Sequence, residues 1–179
     1  MTLKERYAKE IVPALGKELA IENIHALPKV VKVVVSVGLN QGNKDPKILE
    51  TVERTLTRIT GQKPVTTKAK KSIASFKIRE GMVVGMMVTL RGQKMWDFLT
   101  RLTMVTFPRI RDFRGISDST VDARGNISIG FKENLSFPEI RPDEVERVHG
   151  LQITVSTTAG TRENGVKLFK ALGFPFMKP

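Results

Sequence analysis

Residues 61–92, GQKPVTTKAKKSIASFKIREGMVVGMMVTLRG, constrain this chain more than any other stretch. Two strand-like runs, 65–70 and 86–91, flank a long basic loop, so the segment reads as a hairpin whose middle projects beyond a sheet. From Lys68 to Arg79 there are five cations, Lys68, Lys70, Lys71, Lys77 and Arg79, and no acid. Ala69, Ser72, Ala74 and Ser75 stand among them, with one aromatic, Phe76, in the middle. Cations beside small hydroxyls suit phosphate, because the backbone comes close while the charge reaches oxygen. Phe76 suits stacking on an unpaired base. The same residues also fit a solvated hairpin tip with Phe76 turned into the core.

The rest of the chain has the same sign. Lys and Arg total 30 against 18 acids, a net charge of +12 on 179 residues. That balance calls for a polyanion, either nucleic acid or an anionic membrane surface. The membrane reading wants a basic amphipathic helix, and the basic cluster here lies in a loop, so nucleic acid ranks first. No apolar run approaches a membrane span. The start, MTLKERYAKE, has mixed charge and no apolar stretch, so no signal peptide is expected and the cytoplasm is the expected compartment. The absence of cysteine excludes disulfides, thiolate metal sites and cysteine nucleophiles.

Hydrophobic residues make up 40%, enough for one domain over 1–179. Leu3, Tyr7, Ile11, Leu15 and Leu19 recur every four residues and predict a helix over about 2–20, divided or kinked at Pro13 and partly independent of the core. VVKVVVSVG, 30–38, predicts a strand with Val31, Val33, Val35 and Val37 on its apolar face. Asp45 and Pro46 open a helix with Ile48, Leu49, Val52, Leu56 and Ile59 inside and Gly61 at its end. Met82, Met86 and Met87 read as core filler. A helix over 93–107 turns Trp96, Leu99, Leu102 and Val105 inward and stops at Pro108. A short strand near 126–131 and an alternating one over 151–157 follow. A last helix, capped by Thr161 and closed by Gly173, carries Val166, Leu168, Phe169 and Leu172 inside. Gly165 within it is expected to weaken the helix by up to about 1 kcal/mol relative to alanine.

Helices mixed with alternating strands predict an α+β fold: a two-layer sandwich, with helices on one face of a twisted, largely antiparallel sheet. The other face stays open. Lys32, Ser36, Thr67, Thr89 and Arg91 fall where they can line it, as an RNA platform or a merely solvated surface.

Enzymatic signatures are wanting. His25 and His149 are far apart and in no metal-ligand spacing, and GxSxG is absent. Asp118 and Asp122 miss the calcium-loop spacing because Arg124 stands where an oxygen ligand is needed. Glycines 38 and 42 miss the Walker spacing. No catalysis, cofactor, metal or small-molecule substrate is expected.

The words GQKP, TKAKKSI, FKIREGM and VTLRG, then PRIRDFRG and FPEI, give the chain from 28 to 175 its resemblance to a known family. It resembles the bacterial family of large ribosomal subunit protein five, which carries 5S ribosomal RNA. The resemblance implies the α+β sandwich, a place joining 5S RNA to large-subunit rRNA in the central protuberance, and an RNA site on the sheet and its edge turns. On matching positions it implicates Gln62, Lys63, Thr67, Lys68, Thr89 and Arg91, with Arg109, Arg111 and Arg114 of PRIRDFRG. Phe113 beside them either touches RNA or packs. Relatives usually carry asparagine where Ser36 stands and GxGEA where this chain has GLNQG, so Ser36 and Asn40 become candidate substitutes for the missing amide.

The resemblance also implies that Lys70, Lys71, Ser72, Phe76, Lys77 and Arg79 touch the elbow of peptidyl-site tRNA. An assembly clamp on ribosomal RNA is the alternative for this loop. Glu139, Asp143, Glu144 and Glu146, an acidic reversal in a basic chain, are implied to meet a basic protein of the small-subunit head. A free RNA chaperone or regulator using the same basic patch remains the alternative for the whole protein.

Overall fold

A computed structural model describes residues 2–39, 46–141 and 148–177. They form an open α+β fold around a five-stranded antiparallel sheet. The strands are β1 (Val30–Gly38), β2 (Val65–Lys68), β3 (Val83–Leu90), β4 (Ile127–Phe131) and β5 (Leu151–Thr157). Their order is β2-β3-β1-β5-β4. Strand burial alternates as expected: Val33, Val35, Val37, Met86, Val88, Leu90, Ile153 and Val155 are buried, while Ser36, Thr89 and Thr154 between them are not. Val31 departs from the pattern and is exposed, with Val30 buried instead. The described residues fall into two compact units, one of 2–33, 90–129 and 154–177, the other of 34–39, 46–89, 130–141 and 148–153.

In the first unit two helical runs share a device. The amino-terminal run is α1 (Leu3–Arg6), a π turn (Tyr7–Ile11) and α2 (Val12–Leu19). The second is α4 (Gly92–Arg101), a π turn (Leu102–Thr106) and α5 (Phe107–Arg109). Each π turn sits just ahead of a proline, Pro13 or Pro108. A proline inside an α-helix clashes with the carbonyl four residues back. The wider turn, in which Val12 N–H reaches Tyr7 O and Phe107 N–H reaches Leu102 O, relieves that clash. Pro108 therefore does not stop its helix, which runs on to Arg109. The extra residue also rotates the buried face: Val105, expected inside, is exposed, and Thr106 and Phe107 are buried.

Thr2 and Glu5 form a reciprocal capping box at the first helix. Leu3, Ile11 and Leu15 are buried, the Tyr7 ring lies 5.1 Å from Trp96, and Tyr7 Oη donates to Pro28 O at 2.9 Å.

A turn ahead of β4 is held by Asp122. Its Oδ1 accepts from the N–H of Arg124 and of Asn126, both at 2.8 Å, and its Oδ2 accepts from Asn126 Nδ2 at 2.8 Å. Asn126 Oδ1 accepts in turn from Thr157 N–H at 2.9 Å, and Thr157 Oγ1 donates to Gly125 O at 2.7 Å. The last helix, α6 (Arg162–Ala171), starts under the Thr161 cap. Its Gly165 is needed there: a Cβ would lie 2.6 Å from Gly125 Cα and 2.8 Å from Gly125 O. The expectation that this glycine merely weakens α6 is corrected, because only glycine lets the helix backbone approach the turn so closely.

In the second unit α3 (Pro46–Thr60) buries Val52, Leu56 and Ile59 and half-buries Ile48 and Leu49. It ends at Gly61 with φ of +67°. Its expected cap, Asp45, lies outside the described residues. Val52 and Ile48 share a cavity lining with Val37, which sets α3 against the buried side of β1.

Candidate nucleic-acid interface

In the second unit β2 and β3 pair antiparallel, with Val65 opposite Met87, Thr66 opposite Met86, and Thr67 opposite Gly85. Directly opposed residues share a face. Val65, Thr67, Met87 and Thr89 therefore project together, away from buried Met86 and Val88. Thr67 and Thr89 are half-buried, and so is Ser36 on β1. Met87 is 39% exposed and so is no core filler, unlike Met86 at 3%. Gln62 Nε2 donates to Thr89 O at 3.4 Å, which brings two of the expected RNA contacts together at the end of β3. Lys63 Nζ lies 3.3 Å from Glu53 Oε1 on α3, an exposed ion pair that contributes little to stability. Lys68 is exposed. Asn40 lies outside the described residues.

The loop between β2 and β3 is more regular than its composition implies. Both strands differ from expectation: β2 is shorter, ending at Lys68, and β3 begins earlier, at Val83. A bulge at Thr67/Lys68 is followed by further pairing, with Ala69 N–H to Met82 O at 2.8 Å and Gly81 N–H to Ala69 O at 3.0 Å. Beyond it Ile73 and Ile78 exchange both backbone hydrogen bonds, at 2.9 and 3.1 Å. The tip turn closes with Lys77 N–H to Ala74 O at 2.9 Å, and Lys77 has φ of +49°. Ser72 Oγ accepts from Glu80 N–H at 2.9 Å, bracing the neck. The 65–87 segment is thus a hairpin carrying a smaller hairpin.

Lys70, Lys71, Ser72, Lys77 and Arg79 are all exposed on this tip. Phe76 is 58% exposed, so the reading that tucks it into the core fails.

The first unit holds the arginine loop. Arg91, at the start of α4, and Arg109, Arg111 and Arg114 are exposed. Phe113 stacks on buried Phe107, centroids 5.4 Å apart and planes 13° apart, and Phe107 meets Phe174 edge-on. Phe113 is thus packed within this chain on the loop that carries the arginines, and its ring stays half-buried. Ile116 N–H bonds Pro175 O at 2.8 Å and Met177 N–H bonds Ile116 O at 2.9 Å, fixing the loop's far side. Gly115, with φ of +104°, passes so near Met177 that a Cβ would lie 2.8 Å from its nitrogen.

Several polar strand residues were not singled out in the sequence. Gln152 alternates with buried Leu151 and Ile153 in the second unit. In the first unit Thr154 and Ser156 continue that side of β5, and Ser128 Oγ lies 3.1 Å from Thr154 Oγ1. The alternation in LQITVST was the available signal. Glu139 is half-buried, and Asp143, Glu144 and Glu146 lie outside the described residues. His149 is held below the usual imidazole range by burial. Among the described residues no cluster of acids and histidines could hold a metal ion. No helix among them is long and apolar enough to cross a membrane.

Comparison with known proteins matches most of the chain in two consecutive parts, each of which takes in residues of both compact units. Residues 23–79 match the family described as Ribosomal protein L5, and residues 83–176 match the model for the C-terminus of that ribosomal family. The Large ribosomal subunit protein uL5 of Halothermothrix orenii is 53% identical over 174 residues, covering 97% of each chain. Its namesake in Thermotoga maritima is 48% identical over 176 residues, covering 98% of this chain and 96% of its own. That of Trichodesmium erythraeum is 50% identical over 175 residues, covering 98% and 97%. With both parts matched in order and such relatives similar over nearly their full length, the chain belongs to the ribosomal protein L5 family.

Proposed function

We propose that this chain, a structural protein of the large ribosomal subunit with no catalysis of its own, holds 5S ribosomal RNA in the central protuberance. It does so through its sheet face and arginine loop, against large-subunit rRNA. The hairpin tip reaches peptidyl-site tRNA, and the acidic segment meets a basic protein of the small-subunit head. The carrying observation is one of charge and shape: between Gly61 and Trp96 the only acid is Glu80, and the tip cations stand exposed on an ordered projection. Lysines and arginines neutralise phosphate and release counterions. Thr67, Thr89, Ser36 and the Gln62 amide add short-range hydrogen bonds that reward one RNA shape.

Projection separates the two RNA roles. Lys71, Lys77 and Arg79 lie beyond the Ile73–Ile78 pair or at its neck, away from the strand residues that would hold 5S RNA. Replacing all three by alanine should leave 5S RNA affinity within about threefold, less than 1 kcal/mol. Ribosomes carrying the triple variant should release peptidyl-site tRNA faster. Collapse of 5S RNA binding with unchanged tRNA release would make the loop an assembly clamp.

A further inference from the structure

The open face of the β2–β3 pair is polar at Thr67 and Thr89 but not between them. Val65 is 64% exposed and Met87 39% exposed, directly opposite each other across the two strands. Opposed side chains at this spacing touch and make one continuous surface. Gly85, opposite Thr67, is buried against β1, where a Cβ would lie 2.7 Å from Val37 O and 3.0 Å from Thr67 Oγ1, so the exposed apolar surface ends at the Val65–Met87 pair. Thr89 follows Met87, and Thr67 follows Val65, two residues on and roughly 6–7 Å along each strand.

The surroundings name the occupant. Lys63 precedes β2 and Lys68 ends it; no acid occurs in the sequence from Gly61 to Arg79 or from Gly81 to Trp96, and Glu53 of α3 reaches Lys63 in an exposed ion pair at 3.3 Å that a phosphate can displace. A protein partner matched to such a surface would bring acids. It would also use the outer backbone edge of β2 more readily than the face. A nucleotide brings both halves of the match: phosphate for the lysines, and a flat apolar surface of base or ribose for the shelf.

We infer that Val65 and Met87 form an apolar shelf on which one nucleotide of the bound RNA lies flat, its ribose and phosphate oxygens within reach of Thr67 and Thr89. This rests on the reading of the chain as a 5S RNA-binding protein and adds a contact that carries no charge.

The test uses the full chain with Val65→Thr and Met87→Gln together, which keep shape and strand preference and remove only apolar character. Affinity for 5S RNA should fall about tenfold, about 1.4 kcal/mol. The slope of log K against log salt and the thermal midpoint should stay as in wild type, because no cation is lost and both sites are exposed. Variants at Lys63 and Lys68 should instead flatten the slope. In protein carrying ¹³C-methyl methionine, the Met87 signal should move upfield when 5S RNA is added, from the ring current of a base. Affinity within twofold of wild type, a changed slope, or an unmoved Met87 signal would overturn the shelf. If wild type binds 5S RNA tightly and the double variant does equally well, only the shelf fails. If wild type shows no preference for 5S RNA, the functional reading fails and the shelf with it.

Discussion

Alanine at position 165 should destabilise this protein, against the ordinary expectation for a helix interior. Glycine to alanine in a helix gains up to about 1 kcal/mol from lower unfolded-state entropy and better propensity. At Gly165 the new Cβ would stand 2.6 Å from Gly125 Cα, 2.8 Å from its O and 3.0 Å from its C. All three are backbone atoms, so no side chain can swing away. Gly125 cannot retreat easily: a Cβ placed on it would lie 2.6 Å from Ala159 Cβ and 2.7 Å from Thr161 O, and the Asp122 and Thr157 hydrogen bonds hold its turn. Overpacking of this kind costs about 1–3 kcal/mol, and more where the neighbour cannot relax. The net loss is about 1–2 kcal/mol, or a fall in thermal midpoint of about 2–8 °C at this chain length. Calorimetry of Gly165→Ala beside Gly130→Ala checks it, since a Cβ at Gly130 meets nothing within 4 Å. The control should match or exceed wild type. A Gly165→Ala protein at least as stable as wild type would refute the close approach.

Two further outcomes follow from other parts of the chain. The hydrogen bond from the Asn126 side chain, with backbone N–H donors behind it, holds the Asp122 carboxyl below its ordinary 3.8. A depressed carboxylate contributes stability that is complete above the unfolded value and lost as pH falls through the folded one. Asp122→Ala should therefore melt below wild type at neutral pH, with the gap closing as pH drops beneath 3.8; a gap that stays constant into acid would contradict the turn's electrostatics. Reversing Asp143 and Glu144 to lysine should weaken subunit joining in sedimentation assays while 5S RNA affinity holds, and a large loss of 5S RNA binding would remove the acidic segment from its proposed protein contact.

Much of the fold was legible because burial follows period. The alternation at Val33, Val35 and Val37, the stripe at Val52, Leu56 and Ile59, and Leu168 with Phe169 all face inward as their spacing requires. Two exceptions depend on geometry that a fixed period leaves out. A π turn adds a residue, so Val105 rotates out and Thr106 in. The role of Gly165 lies in Gly125, far back along the chain and invisible to local reasoning. Met87 looked like core because methionine is apolar, but the register places it on the face of Thr67 and Thr89. The cations of the tip were plain from composition. The Ile73–Ile78 pair that orders them was hidden by a bulge and a short tip turn.

The central claim, that this surface recognises 5S RNA and not merely RNA charge, is tested most directly by competition. Labelled 5S RNA bound to the full chain is challenged with unlabelled 5S RNA or tRNA in filter binding at rising salt. With roughly five phosphates neutralised, log K should fall against log salt with a slope of about −3.5 to −4.5, and 5S RNA should remain much the tighter ligand at moderate salt. Equal competition by tRNA across the salt range would contradict the account.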